Sequence, residues 1–240
     1  MYLDQKTNER LSIMKSSITG MSGLAIERLF PFSTNVKRLM DICGSLVGLS
    51  FSSPILAIAA LAVKVDSQGP ILFRSIRVGI RGKPILLYKL RTMHVHEEGS
   101  GPEVTASTDD RITRVGKILR KVKIDELPQL INVLKGELSL VGPRPEVPRY
   151  VKRYLDQYKV ILSVKPGLSD HATLEFVGEE EILAGSEDPE KTYIEEIMPR
   201  KIEHYLRYVE KHSIRGDLGI IVQTAIHVVK RAIQSTRGKI

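Results

Sequence analysis

From Ile42 to Val63 the chain carries no charged residue, and Asp41 and Lys64 close the stretch on either side. Such a run is long enough to cross a bilayer, since roughly 20 apolar residues at 1.5 Å each span the hydrocarbon. Any fold for this chain must bury that surface in protein or give it to lipid. The flanks separate the options. Lys37 and Arg38 precede the stretch, and Lys64, Arg74, Arg77 and Arg81 follow it. Lys and Arg beside a membrane segment tend to stay on the cytoplasmic side, so a single crossing would export one basic cluster, whereas a segment that turns back keeps both inside. Ser53 and Pro54 fall at the midpoint. Proline removes a backbone hydrogen bond and crowds the preceding turn, and the hydroxyls of Ser52 and Ser53 can serve the freed carbonyls. The pattern predicts two helical arms of about eleven residues, roughly 16 Å each, dipping in and out of one leaflet with Ser53 and Pro54 as the break. A kinked helix crossing once is the alternative, and a helix buried in a soluble core is a weaker one. A signal peptide does not fit, because Asp4, Glu9 and Glu27 lie in the segment that precedes the stretch.

Charge and composition narrow the partners. Lys and Arg outnumber Asp and Glu by 36 to 28, a formal net charge of +8, which favours an anionic partner. Trp is absent and aromatics are 5%, so the stacking platforms of single-strand binders are scarce, and no helix-turn-helix, zinc-finger or RNA-binding pattern is present; the reading is no nucleic acid. A lone cysteine, Cys43, excludes an internal disulfide framework.

Two further stretches read as amphipathic helices. Between Asp110 and Lys123, apolar Ile112, Val115, Ile118, Leu119 and Val122 alternate with six cations, a basic helix suited to anionic lipid. Near the C-terminus, Leu218, Ile221, Val222, Ala225, Ile226, Val229, Ala232 and Ile233 recur at helical steps. That helix can lie in the headgroup plane or pack on the core. Residues 65–88 have the glycine, proline and short apolar runs of paired strands, and His94 to Asp110 reads as a polar loop. Within it His94, His96, Glu97 and Glu98 admit a metal site, but solvated loop is the simpler reading. Residues 1–36 show no sustained period and are taken as an N-terminal arm.

Candidate chemistry begins at Asp125 and Glu126. Asp125 can cap a helix whose first turn tolerates Pro128, so the pair by itself is also what an ordinary helix start would show. Beyond it, Val141 to Pro145 reads V-G-P-R-P. Each proline restricts its predecessor to extended geometry, which holds Arg144 stiffly, and a guanidinium on a rigid loop suits bidentate phosphate binding.

These pieces occur in an order that resembles the monotopic phosphoglycosyl transferases, the bacterial sugar transferase family acting on polyprenol phosphate. The motifs are K-R-x-x-D from Lys37, the Ser53-Pro54 break, G-P-x-x-F-R from Gly69, R-x-G-x-x-G from Arg77 and K-x-R-T-M from Lys89. They continue as R-I-T-R-V-G from Arg111, Leu119-Arg120, D-E-L-P-Q-L from Asp125, N-V-L-x-G from Asn132, L-V-G-P-R-P from Leu140 and Lys165-Pro166-Gly167. The resemblance implies a two-step transfer in which a UDP-sugar gives its sugar 1-phosphate to Asp125 and UMP leaves. Polyprenol (undecaprenyl) phosphate then takes the sugar phosphate, the first membrane step of surface glycoconjugate assembly. It implies Mg²⁺ as cofactor held by Glu126 and Asp125, Glu126 as metal ligand or base, Arg144 as phosphate clamp, and Arg120, Lys89 and Arg91 as further substrate-binding cations. It also implies the bacterial inner membrane, with the catalytic domain on the cytoplasmic face and membrane lipids as partners; a homo-oligomer is left open. The rival without chemistry is a membrane-anchored scaffold binding anionic lipid. One departure stands out: Lys165-Pro166-Gly167 is followed not by a glycine- and glutamine-rich segment but by L-S-D-H-A-T-L-E-F and an acidic stretch to Asp188.

The fold expected is mixed α/β and helix-rich. An arm (1–36) leads into a re-entrant helix-break-helix membrane hairpin (37–64). A small cytoplasmic catalytic domain (65–195) with interfacial amphipathic helices follows, and then a membrane-associated C-terminal helical region (196–240).

Overall fold

The structure, a computed structural model, describes residues 31–95 and 104–237 of the 240. His96, Glu97 and Glu98 and most of the N-terminal arm lie outside the described residues. Helix α1 (Pro31–Asp66) takes in residues 31–36, the last part of the expected arm.

Helix α1 also corrects the expected break: it runs as one helix of 36 residues with Pro54 inside. The reason is local. Pro54 cannot donate to the carbonyl of Ser50, four residues back, and the Ser53 hydroxyl donates to that same carbonyl at 2.9 Å. The rung is replaced and the helical backbone persists. Asp41, Ser45, Ser52, Ala59 and Val63 are buried, at spacings of four and seven that define one face. Leu46, Phe51, Ile58 and Leu61 stand on the other, with Phe51 81% exposed. Among the described residues α1 is the one helix long and apolar enough to cross a membrane.

Both ends of α1 are fastened to the same body. At the start, Lys37 donates to the Val141 carbonyl at 2.9 Å and to Asp217 at 2.5 Å, and Arg38 donates at 2.6 Å to the Val133 and Leu134 carbonyls. Those carbonyls end a helix, where a cation also meets the negative end of the dipole. Gly44 and Gly48 let the backbone come close: a Cβ on Gly44 would lie 2.6 Å from Leu140 Cδ1. At the far end Ala59 and Val63 form a core with Leu90 and Leu119, and Asp66 accepts from the Val115 amide at 3.0 Å.

Strands β1 (Leu72–Val78) and β2 (Pro84–Leu90) form an antiparallel hairpin, Phe73 facing Lys89. The polar segment that follows has its two feet joined by a bridge between Met93 and Ile112. Helix α2 (Arg114–Lys121) is shorter than the basic periodicity suggested, because Thr113 caps it by accepting from the Gly116 amide. A 3₁₀ turn (Ile124–Gln129) leads into α3 (Leu130–Lys135) and β3 (Ser139–Val141). Strand β3 pairs in parallel with β4 (Gly167–Ser169). This pairing puts the glycines of V-G-P-R-P and K-P-G backbone to backbone, with an ideal Cβ on Gly167 only 2.0 Å from the Gly142 nitrogen. No side chain fits there.

Between these strands lie α4 (Pro148–Arg153) and α5 (Leu155–Ile161); after them come α6 (His171–Glu175), α7 (Glu179–Ala184) and α8 (Pro189–Thr192). A π turn (Tyr193–Ile197) joins α8 to α9 (Met198–Lys211), and α10 (Ile214–Arg237) ends the fold. The largest core gathers Tyr158, Leu183, Met198, Ile202 and Tyr205, so it draws from both sides of residue 195. On α10 Asp217 and Ile220 are buried, while Leu218, Val222, Ile226, Val229 and Ile233 form an exposed apolar stripe. The two readings of this helix thus apply to different faces: one packs and the other is unpartnered among the described residues.

Candidate active site

The dyad turn owes its shape to Lys123, whose backbone is left-handed at φ 58°, a conformation unfavourable for a residue with a Cβ. That reversal ends α2 and starts the tight turn. Asp125 and Glu126 occupy the first turn of a 3₁₀ helix, and the turn has no side-chain cap. The ordinary helix-cap reading of Asp125 is therefore contradicted: its carboxylate caps nothing among the described residues. Asp125 is 5% exposed, and its Oδ1 is sealed from solvent with no hydrogen-bond partner among the described residues.

Glu126 stands in the opposite condition. Lys89 Nζ on β2 donates to its Oε1 at 2.9 Å, and Arg144 Nη2 on the loop after β3 donates to the same oxygen. The two side chains come from elements far apart in sequence, and each has a reason to be there. Asn132 is fully buried and holds β2 in place: it accepts from the Tyr88 amide at 3.1 Å and donates to the Leu86 carbonyl at 2.8 Å. The Arg144 loop is tied to β1 by the Val78 amide on the Glu146 carbonyl at 2.9 Å, and Glu146 is buried under the Tyr193 hydroxyl at 2.9 Å.

The electrostatics follow. Burial raises both carboxyls, but at Glu126 the nearby Arg144 and Lys89, with Lys123, overcome it and hold the group well below the usual carboxylate range. At Asp125 burial and the adjacent Glu126 charge prevail over Lys89, Lys123 and Arg120, so its carboxyl is pushed up. Lys89 is pushed down, mainly by desolvation against the pull of Glu126, and Arg144 is held more firmly protonated by Glu126. Two adjacent carboxylates with opposite shifts have different tasks available to them: one is anchored and ionised, the other is unengaged and costly to keep charged.

The remaining candidates divide. Arg120, at the end of α2, is one of the charges acting on Asp125, and its guanidinium binds Glu180 of α7 at 2.8 Å and 3.3 Å. Arg91 is buried elsewhere: it donates to the Pro70 carbonyl at 2.6 Å, Ser67 Oγ at 2.5 Å and the Ser67 carbonyl at 2.9 Å. Its donors tie down the turn that leaves α1. Ser53 and Pro54 lie within α1 and work on its backbone, as described above. Lys123, Asn132 and Gln129, whose buried amide nitrogen lacks a partner among the described residues, were not singled out from the sequence. The quoted N-V-L-x-G and D-E-L-P-Q-L motifs contained the last two.

Among the described residues there is no cluster of three or more His, Cys, Asp and Glu that could hold a metal. The dyad does suit Mg²⁺ in its usual role, bound by one or two carboxylates plus substrate phosphates and water. Asp125 has an unengaged carboxylate, and both cations on Glu126 meet one oxygen, leaving Oε2 without a hydrogen bond among the described residues.

Comparison with known proteins places this geometry in context. Residues 32–231 match the family model described as bacterial sugar transferase. The chain is 38% identical over 191 residues to a UDP-glucose:undecaprenyl-phosphate glucose-1-phosphate transferase of Caulobacter vibrioides, covering 78% of this chain and 67% of the relative. A Klebsiella pneumoniae protein of the same name is 37% identical over 222 residues, 89% of this chain and 45% of the relative. A UDP-N-acetylgalactosamine-undecaprenyl-phosphate N-acetylgalactosaminephosphotransferase of Aeromonas hydrophila is 35% identical over 197 residues, 81% of this chain and 44% of the relative. The chain thus spans two thirds of the first relative and less than half of the other two.

Proposed function

The chain belongs to the bacterial sugar transferase family, and we propose that it transfers a sugar 1-phosphate from a UDP-sugar to undecaprenyl phosphate, with Asp125 as the nucleophile. The observation that carries this reading is the contrast inside the dyad: Glu126 is pinned by Lys89 and Arg144, while the buried Asp125 carboxylate is engaged by nothing among the described residues. A nucleophile must be free to move onto phosphorus, and its neighbour must not compete for the same atom.

In the first step an Asp125 oxygen bonds to the sugar-bearing phosphorus. The bond from that phosphorus to the bridging oxygen breaks, and UMP departs with the electron pair. In the second step a phosphate oxygen of the lipid attacks the same phosphorus, and Asp125 leaves as the carboxylate. Lys89 and Arg144 supply positive charge where an anion must approach an anion, and Arg144 sits on a loop that cannot relax away. Mg²⁺, held by Asp125, Glu126 and the diphosphate, would neutralise phosphate charge.

The membrane reading rests on α1. Its two ends are fastened to one catalytic body through Arg38 and Val63, so a crossing that carries one end to the far side would tear one set of contacts away. This supports an α1 that bends at Pro54 without breaking and leaves the leaflet on the side it entered, with both basic flanks on the cytoplasmic face of the inner membrane. The exposed stripe of α10 and the basic face of α2 would lie along the same surface.

The test uses purified protein with Mg²⁺, undecaprenyl phosphate and radiolabelled UDP-glucose or UDP-N-acetylgalactosamine. Expected are UMP and labelled lipid, plus a labelled protein adduct when lipid is omitted. Asp125→Asn should abolish both products and the adduct; turnover surviving in that variant overturns the assignment.

A further inference from the structure

Each of three cations beside the dyad already has a carboxylate. Lys89 and Arg144 share Glu126. Arg120 is held by Glu180, Nη2 at 2.8 Å from Oε1 and Nε at 3.3 Å from Oε2. This two-pronged arrangement is the one a guanidinium offers to phosphate. Glu180 lies in the first turn of α7, within the acidic stretch where the chain departs from the family pattern.

A diphosphate arriving at this site needs cations, and it can obtain Arg120 only by exchange with Glu180. The two carboxylates that hold the cations differ. Glu126 has a side chain 12% exposed and carries two cations on one oxygen. Glu180 is 29% exposed and holds one, from a helix of six residues. A carboxylate near the surface regains water when it lets go, whereas a buried one is left uncompensated. The exchange is also local. Lys201 holds Glu179 at 2.5 Å, and the Ser107 amide holds the Glu180 carbonyl at 3.0 Å, so the Glu180 side chain can swing away without displacing its helix.

We propose that Glu180 is an internal stand-in for a substrate phosphate on Arg120, exchanged for a phosphate oxygen of the nucleoside diphosphate as it binds. It thereby sets the affinity for the nucleotide. The inference rests on the nucleotide-sugar reading above, and it assigns a role to the acidic segment that the reaction scheme leaves unused.

The experiment measures UDP binding to the full-length protein in detergent with Mg²⁺, by titration calorimetry. Glu180→Gln should bind UDP roughly threefold to tenfold tighter, about a kilocalorie of lost competition, and Arg120→Gln should bind it more weakly. In the Arg120→Gln background the Glu180→Gln gain should vanish. Weaker binding by Glu180→Gln would mean that the carboxylate only props Arg120 in place, and a gain that persists without Arg120 would put its action elsewhere; either result overturns the exchange. UMP release from UDP-sugars is assayed alongside. Wild-type protein that binds UDP but releases no UMP sinks the transferase reading alone. Release of UMP with unchanged UDP affinity in Glu180→Gln sinks the exchange alone.

Discussion

Two acidic turns in this molecule solve the same electrostatic problem in opposite ways. At Glu179–Glu181 three successive carboxylates, partly exposed, each hold a cation on a different element: Lys201 on α9, Arg120 on α2 and Arg231 on α10. At Asp125–Glu126 two buried carboxylates share their cations unequally, and Glu126 receives both direct contacts. The comparison teaches that carboxylate count does not mark a reactive site. The acid proposed to react is buried, near positive charge and nevertheless unengaged among the described residues, a condition that costs free energy and persists only where the surrounding fold enforces it.

The largest effect that would break this contrast lies within the dyad. Asp125→Asn should leave no measurable turnover, since it removes the proposed nucleophile, whereas Glu126→Gln should loosen Lys89 and Arg144 and raise the Mg²⁺ concentration needed for half-maximal rate. Equal loss by both routes, with unchanged Mg²⁺ dependence, would erase the difference in role. Arg144→Lys comes next. A point charge replaces the stiff fork, and turnover should fall by about 10²-fold with the fold retained in circular dichroism. The conservative change is the informative one, because charge alone predicts no loss.

The pH dependence sharpens the comparison further. Glu126, held low, adds stability that is present above the ordinary glutamate range and is lost as pH falls through its depressed value. Asp125, held high, has the opposite sign: it opposes folding at neutral pH and relaxes when it takes up a proton. Asp125→Asn should therefore be at least as stable as wild type at pH 7 and lose that advantage on acidification, measured by thermal melts across pH. The acid limb of kcat/KM should also lie above the ordinary aspartate value. The smallest effect belongs to the exposed turn. Glu181 is 61% exposed and meets Arg231 at 3.6 Å, so Glu181→Gln should change unfolding free energy by no more than about 0.5 kcal/mol.

Much of the candidate site was legible in order along the chain. Asp125, Glu126, Lys89 and Arg144 stand in motifs whose sequence identified them, and the structure brings all four together. Arg91 shows the limit: strand alternation would put it on the same face as its motif neighbour Lys89, but β2 ends at Leu90 and the exit turns Arg91 toward Ser67 and Pro70. The helix break shows another limit. Proline at position 54 predicted lost backbone bonding, and a neighbouring serine hydroxyl replaced what was lost.

The sequence by itself determined the uncharged stretch with basic flanks, the dyad and the stiff arginine loop, because charge, hydropathy and proline geometry are properties of neighbouring residues. Only the tertiary structure decided which carboxylate is unengaged, that both ends of α1 return to one body, and that Arg120 meets Glu180. Those outcomes depend on burial and on contacts across scores of residues, and a local pattern carries neither.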